Sequence, residues 1–266
     1  MPITIPTIEQ LTDKQWEVQD LPIAGRYLIT GGPGSGKTSI AIRRTEYIKS
    51  DDPNATVTAF LLTNTLNDFF GDGIRSLNIT SNVQVWAKWQ RKMLLRHNAW
   101  KWEYSDRIPW DSLSERILNL PLNIMYDHLI IDEAQDFSQH DLQVMSLIAE
   151  NITVFADENQ RLYERGIESA EEIKNVLGID DDDTYHLSEN HRNTKQIMKA
   201  AASLAPDEID VDLDEIVRSG QQPRIIINHD AEGEIKYILK VLNANRQKDI
   251  GILHLEKSVI QNIYKR

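Results

Sequence analysis

Short apolar runs alternate with stretches of helical periodicity along most of this chain. Residues 26–30, 56–62, 83–86, 127–132 and 152–156 are rich in Val, Ile, Leu and aromatic residues and have the lengths of strands. Their near-continuous apolar character fits strands covered on both faces, as in a parallel sheet. After Lys37, the residues Ile40, Ala41, Arg44, Tyr47 and Ile48 recur at helical spacing, and Trp86, Trp89 and Met93 do so at i, i+3 and i+7. This alternation predicts an α/β protein, a parallel sheet flanked by helices. Beyond residue 184 the pattern predicts a helix over 196–202, a strand over 224–228, a helix from about 232 to 244 and a strand over 250–254.

Candidate chemistry gives this pattern a purpose. Gly31-Gly32-Pro33-Gly34-Ser35-Gly36-Lys37-Thr38 fits the phosphate-loop pattern G-x-x-x-x-G-K-[ST] at every fixed position, between an expected strand and an expected helix. Gly32, Gly34, Ser35 and Gly36 let successive backbone N–H groups converge on phosphate oxygens, and Ser39 opens the helix whose positive end faces them. Lys37 supplies charge for the β- and γ-phosphates, and Thr38 offers a hydroxyl to Mg2+. The chain should therefore bind a nucleotide such as ATP.

A second constellation follows the strand over 127–132. His128-Leu129-Ile130-Ile131 ends in Asp132 and Glu133. A carboxylate at a strand end holds Mg2+, and its neighbour takes a proton from an attacking water, which casts Asp132 as the metal residue and Glu133 as the base. An acid pair after a strand also serves to cap a helix; the phosphate loop tips the reading towards hydrolysis.

Bulk composition narrows the setting. No cysteine occurs among 266 residues, and the seven histidines lack zinc-ligand spacing. No apolar run reaches transmembrane length, so no membrane partner is expected and the cytoplasm is the expected compartment. The formal charge of −12 argues against a wholesale polyanion-binding surface, although it leaves room for a local groove. The place for one is residues 86–110, where Trp86, Trp89, Trp100, Trp102 and Trp110 are interleaved with Lys88, Arg91, Lys92, Arg96 and Lys101. Rings with adjacent cations bind single-stranded nucleic acid, yet the same Trp spacing also suits the core face of a helix. Both readings stand at this point, with Lys88, Arg91 and Lys92 the better candidates to face nucleic acid.

Asp132-Glu133-Ala134-Gln135 resembles motif II of UvrD-like superfamily 1 DNA helicases, and further signatures follow the order of that family. Leu11-Thr12-Asp13-Lys14-Gln15 is similar to the Q motif, Leu62-Thr63-Asn64 to motif Ia, and residues 83–89 occupy the place of motif Ib. Val154-Phe155-Ala156-Asp157-Glu158-Asn159-Gln160 resembles motif III and Leu187-Ser188-Glu189-Asn190-His191-Arg192-Asn193-Thr194 motif IV. The resemblance implies that Gln15 reads adenine, Gln160 senses the γ-phosphate and Arg192 acts as an arginine finger. It also implies that Thr63 and Asn64 meet nucleic acid. Three positions depart from the family: His191 stands where a Tyr stacks on adenine, Leu62 where an aromatic stacks on a base, and Ala156 where a Gly precedes the Asp.

The resemblance implies a RecA-like P-loop domain over 1–184, with a small insertion near 96–120, and a partial second RecA-like domain over 185–266. Nothing resembles motifs V and VI, so a fragment of a longer helicase is expected, with a naturally short relative that lacks motor function as the other reading. The implied function is an ATPase core coupling Mg-ATP hydrolysis to single-stranded DNA. A nucleotide-gated binding module of a repair or defence assembly, with a protein partner and no motor activity, is the alternative. A P-loop kinase for small molecules is disfavoured, because Gln160 and Arg192 match helicase positions.

Overall fold

In the computed structural model, residues 5–101, 110–157, 166–167, 169–204, 212–248, 250–254, 260–261 and 263 are described, with 110–112 as backbone alone. The chain divides into two compact units, Met1–Gly220 and Gln221–Arg266.

Six strands of the first unit form one sheet: β1 (Arg26–Gly31), β2 (Val57–Leu61), β3 (Asn82–Val85), β4 (Tyr126–Ile131), β5 (Ala149–Ala156) and β6 (Thr184–Leu187). Their spatial order is β3-β2-β4-β5-β1-β6, and every pairing is parallel. Helices cover both faces, because neighbouring residues of each central strand point to opposite sides. Leu28, Phe60, Leu129, Ile131 and Val154 join one core with α4 (Trp86–Arg96), α5 (Trp110–Leu118), α6 (Gln139–Ile148) and α7 (Ala170–Leu177). Ile29, Leu61, Ile130 and Phe155 join the other with α1 (Asp13–Gln19), α2 (Lys37–Asp51) and α3 (Asn64–Ser76). The expected parallel sheet flanked by helices is the observed architecture. Among the described residues, no helix is long and apolar enough to cross a membrane.

One buried cation ties the segment before β1 to α2. The Arg44 guanidinium, fully buried, donates to the carbonyls of Gln19, Leu21 and Pro22 and lies 5.9 and 5.5 Å from the ring centres of Tyr27 and Tyr47. These acceptors satisfy a charge that would otherwise be costly in the core. Burial still pulls its pKa down to about 10.

His128 of β4 is buried, and its pKa is lowered to about 4, first by burial and then by the positive charge of Arg44. Between the ordinary value of 6.5 and about 4, the unfolded chain takes up a proton that the folded chain refuses. The stability this contributes is therefore complete above pH 6.5 and is lost as pH falls through that window. Urea unfolding at pH 7 and pH 4.5 should show a lower midpoint at the acid pH. His128→Leu should narrow the gap, and an unchanged gap would rule out this group as the cause.

The sheet extends past the expected boundary near 184, since β6 begins there and pairs with β1 from Leu28 opposite Thr184 to Gly31 opposite Leu187. After it, β7 (Asn190–Thr194) and β8 (Ile216–Arg218) pair in parallel, and α8 spans Lys195–Leu204, close to the helix expected over 196–202. In the second unit α9 spans Ala231–Ala244, as the periodicity predicts. The strands expected over 224–228 and 250–254 do not form: their described residues pair with no strand, and Ile227 and Leu253 are 90% and 98% exposed. A β-branched run supplies propensity, but a strand also needs a ladder partner and neighbours to pack against.

Candidate functional site

Because β5 lies between β1 and β4, the carboxyl ends of these three strands converge on one cleft. The chain leaves β1 for β2 on one side and reaches β6 on the other, so this is a switch point of the kind where α/β sheets bind ligands. The loop from Gly31 to Gly36 joins β1 to α2. Gly34 and Gly36 have φ of 88° and 93°, and a side chain at either would also collide. A Cβ on Gly34 would sit 2.6 Å from Asn190 Oδ1 and 2.7 Å from Arg192 Cβ, and one on Gly36 would sit 2.8 Å from Gln15 Nε2. The glycines therefore admit close packing from both flanks as well as the turn.

Lys37 Nζ donates to the carbonyls of Gly31 and Gly32 at 2.6 and 3.0 Å, and lies 3.3 Å from Asp157 Oδ2 at the end of β5. The Thr38 hydroxyl donates to Asp132 Oδ2 at 2.8 Å. Asp132 is wholly buried, and its pKa is raised well above the usual carboxylate range, first by burial and then by the neighbouring charge of Glu133; the Thr38 bond opposes this. Glu133 occupies the left-handed region at φ 55° and ψ 48°, unusual for a side chain of this type and a mark of local strain.

The cleft, of about 230 Å³, is lined by Pro33, Gly34, Gly36, Lys37, Thr38, Ser39, Leu66, Phe69, Glu133, Asp157 and Arg192. The Ser35 hydroxyl oxygen is buried without a hydrogen-bond partner. Among the described residues no group of three or more His, Cys, Asp or Glu could hold a metal ion by itself. A hard cation would thus take one or two protein oxygens, from Thr38 and Asp132, and complete its shell from phosphate and water, which suits Mg2+.

Other expected residues fall into three groups. Gln15 touches the loop: its Nε2 donates to Ser35 O at 2.9 Å and its Oε1 accepts from Thr12 N. His191 N donates to Gly34 O at 2.9 Å, and its ring Nε2 lies 3.3 Å from a Glu189 oxygen, so β7 runs directly against the phosphate loop. Gln160 lies outside the described residues.

The nucleic-acid candidates separate. Trp86 does not face solvent: it is buried, stacks on Trp89 at 4.7 Å between ring centres, and donates from Nε1 to Asp141 Oδ1 at 2.6 Å. The core reading wins because a carboxylate on α6 satisfies the indole N–H and Phe60 packs edge-on against both rings. Lys88, Arg91 and Lys92 are exposed. Lys88 Nζ donates to Asn64 Oδ1 at 2.7 Å, Arg91 lies over the Trp100 ring at 5.3 Å, and Thr63 caps α3 by accepting from Leu66 N.

Four residues in or beside the cleft carry no role in the sequence reading: Gln135, Asp157, Leu66 and Phe69. Gln135 Nε2 donates to Glu133 Oε2 at 2.8 Å while its Oε1 accepts from Asp157 N at 2.9 Å, so one carboxamide fastens Glu133 to the end of β5. Asp157 holds Lys37. Its signal was present, an acid directly after an apolar strand, as at Asp132. Leu66 and Phe69 line the cleft from α3 and had no such signal.

Residues 25–226 match a family described as Schlafen group 3, DNA/RNA helicase domain. No curated protein matches the chain. Among solved structures, the Pif1 helicase from Candida albicans aligns at 14% identity over 73% of this chain and 42% of its own, with a TM-score of 0.44. Domain III of the replication initiation protein DnaA from Thermotoga maritima aligns at 15% identity over 94% and 88%, with a TM-score of 0.34. The PRRSV helicase aligns at 13% identity over 76% and 38%, with a TM-score of 0.38. The chain thus spans less than half the length of either helicase structure.

Proposed function

The chain belongs to the Schlafen group 3 DNA/RNA helicase domain family, and from that premise we propose that it is the ATP-hydrolysing core of a UvrD-like superfamily 1 helicase, coupling Mg-ATP turnover to single-stranded DNA. The observation that carries this reading is the joining of Thr38 to Asp132 at 2.8 Å in the cleft lined by Lys37, Glu133 and Arg192. That set meets each requirement of phosphoryl transfer to water.

Lys37 and Arg192 neutralise charge on the γ-phosphoryl group. Thr38 and Asp132 would hold Mg2+, which would supply charge to offset that of the phosphate oxygens. A water oxygen attacks the γ-phosphorus, the bond to the bridging oxygen of ADP breaks, and Glu133 accepts the proton of that water. Gln160, by its place in the sequence, senses the γ-phosphate, while Gln15 and His191 border the adenine. The incomplete second RecA-like domain expected over 185–266 would open only after β6, with the cytoplasm as the proposed compartment and a protein of a repair or defence assembly as the proposed partner.

Single-stranded DNA should raise ATP turnover, and Lys37→Ala should abolish it. Turnover indifferent to both would sink the proposal. ATP bound without turnover, with or without DNA, would point instead to a nucleotide-gated binding module.

A further inference from the structure

We propose that the groove between α4 and the edge strand β3 is a phosphate track for single-stranded nucleic acid, with Lys92 and Arg96 as its cationic contacts and Asn82 and Gln84 as its amide donors. The proposal rests on the nucleic-acid half of the function above and is independent of hydrolysis.

Helical spacing is the first observation. Lys88, Lys92 and Arg96 stand at i, i+4 and i+8, so they form one stripe along α4, and all three are exposed. The opposite side of the same helix, Trp86, Trp89, Gln90, Met93 and Leu94, is buried. Eight residues of helix give the stripe a length of about 12 Å. Its upper end is fixed where Lys88 Nζ meets Asn64 Oδ1, at the first residue of α3. Both helices start at the carboxyl end of the sheet, the end that carries the nucleotide cleft. The stripe therefore leads from that end down the outer side of the domain.

Charge is the second. In a chain with 41 acidic residues against 29 Lys and Arg, cations find carboxylates readily, as Arg43 does with Glu46 and Lys174 with Asp181. Among the described residues Lys92 and Arg96 have neither an ion pair nor a hydrogen bond. Two unpaired cations one helical turn apart, in a strongly acidic protein, concentrate positive potential where the rest of the surface repels polyanions.

Shape is the third. A cavity of about 70 Å³ lies between these two cations and the side chains of Asn82, Gln84, Trp89 and Tyr126. Its floor is held in place, because Trp89 Nε1 donates to the Tyr126 hydroxyl oxygen at 3.0 Å. The rim offers an ammonium, a guanidinium and two carboxamides, all donors to a phosphate oxygen. Space for one phosphate-sized group beside a single helix flank suits one strand. Contacts confined to the backbone make the binding independent of sequence.

Fluorescence anisotropy of a labelled oligothymidylate with the full chain, between about 50 and 200 mM salt, tests the track. Lys92→Ala/Arg96→Ala should weaken binding about tenfold and flatten the log Kd against log salt slope by about 1.4, from two contacts at roughly 0.7 each. Its nucleotide affinity should equal that of the wild type, which separates loss of contact from loss of fold. Lys236→Ala, which removes a cation already paired with Glu232, should leave affinity and slope alone. Equal affinity and slope in the double variant would overturn the track, as would a wild-type chain that does not bind the oligonucleotide. Displacement by polyglutamate as readily as by unlabelled oligonucleotide would overturn the assignment to nucleic acid. DNA binding through the track without ATP hydrolysis would uphold it while removing the ATPase reading.

Discussion

Arg192→Ala should lower kcat for ATP hydrolysis by roughly three powers of ten or more and change nucleotide affinity little, the signature of a group that acts on the transition state. The side chain lines the phosphate cleft, while its backbone is anchored independently. Arg192 N donates to Asn190 Oδ1 at 3.1 Å, and Arg192 O accepts from Arg218 Nη1 at 2.9 Å. The neighbouring amide of His191 is held by Gly34 O. Removing the guanidinium should therefore leave β7 against the phosphate loop and subtract only the charge. Arg192→Lys should not restore the rate, because a point charge cannot reproduce the planar fork that meets two phosphoryl oxygens. A loss of less than tenfold in steady-state turnover would remove Arg192 from the chemistry.

What the sequence disclosed divides by the distance between cause and effect. Gly34, Gly36, Lys37 and Thr38 were legible because the phosphate loop is a local object, its spacing set by the turn itself. Asp132 was legible because an acid closing an apolar strand is also local, although its bond to Thr38 spans 94 positions. Strand β6 was missed: Thr-Tyr-His-Leu alternates weakly and owes its place to the exposed edge of β1. Gln135 was quoted in a motif but given no task, because its two bonds exist only after a short 3-10 turn brings it back over Glu133 and beside β5. The apolar residues 225–227 carried strand propensity without a partner to pair with. Local signals marked the candidate site, and tertiary partners decided what surrounds it.

Asp141→Ala should cost about 3–5 kcal/mol of stability, seen as a lower urea midpoint at unchanged m-value. The Asp141 carboxylate is buried and accepts from Trp86 Nε1 at 2.6 Å, Ser114 Oγ at 2.6 Å, Gln90 Nε2 at 3.1 Å and Ser138 N at 3.0 Å. Truncation would leave several donors in the core unsatisfied, each at about 1–3 kcal/mol before relaxation. Asp141→Asn should cost less, since the amide oxygen keeps part of the set, and a loss below about 1 kcal/mol in the Ala variant would show that water or repacking replaces it. Trp86 emission offers a local check, because its indole N–H loses its acceptor. The same carboxylate joins α4, α5 and α6, and it explains why a Trp with cations beside it belongs to the core rather than to a nucleic-acid surface. Its wider consequence lies in what it holds still. The first turn of α6 follows the segment bearing Asp132 and Glu133, and α4 bears Lys88, Lys92 and Arg96, so one buried side chain braces the helix of the proposed track against the segment that leaves the nucleotide site.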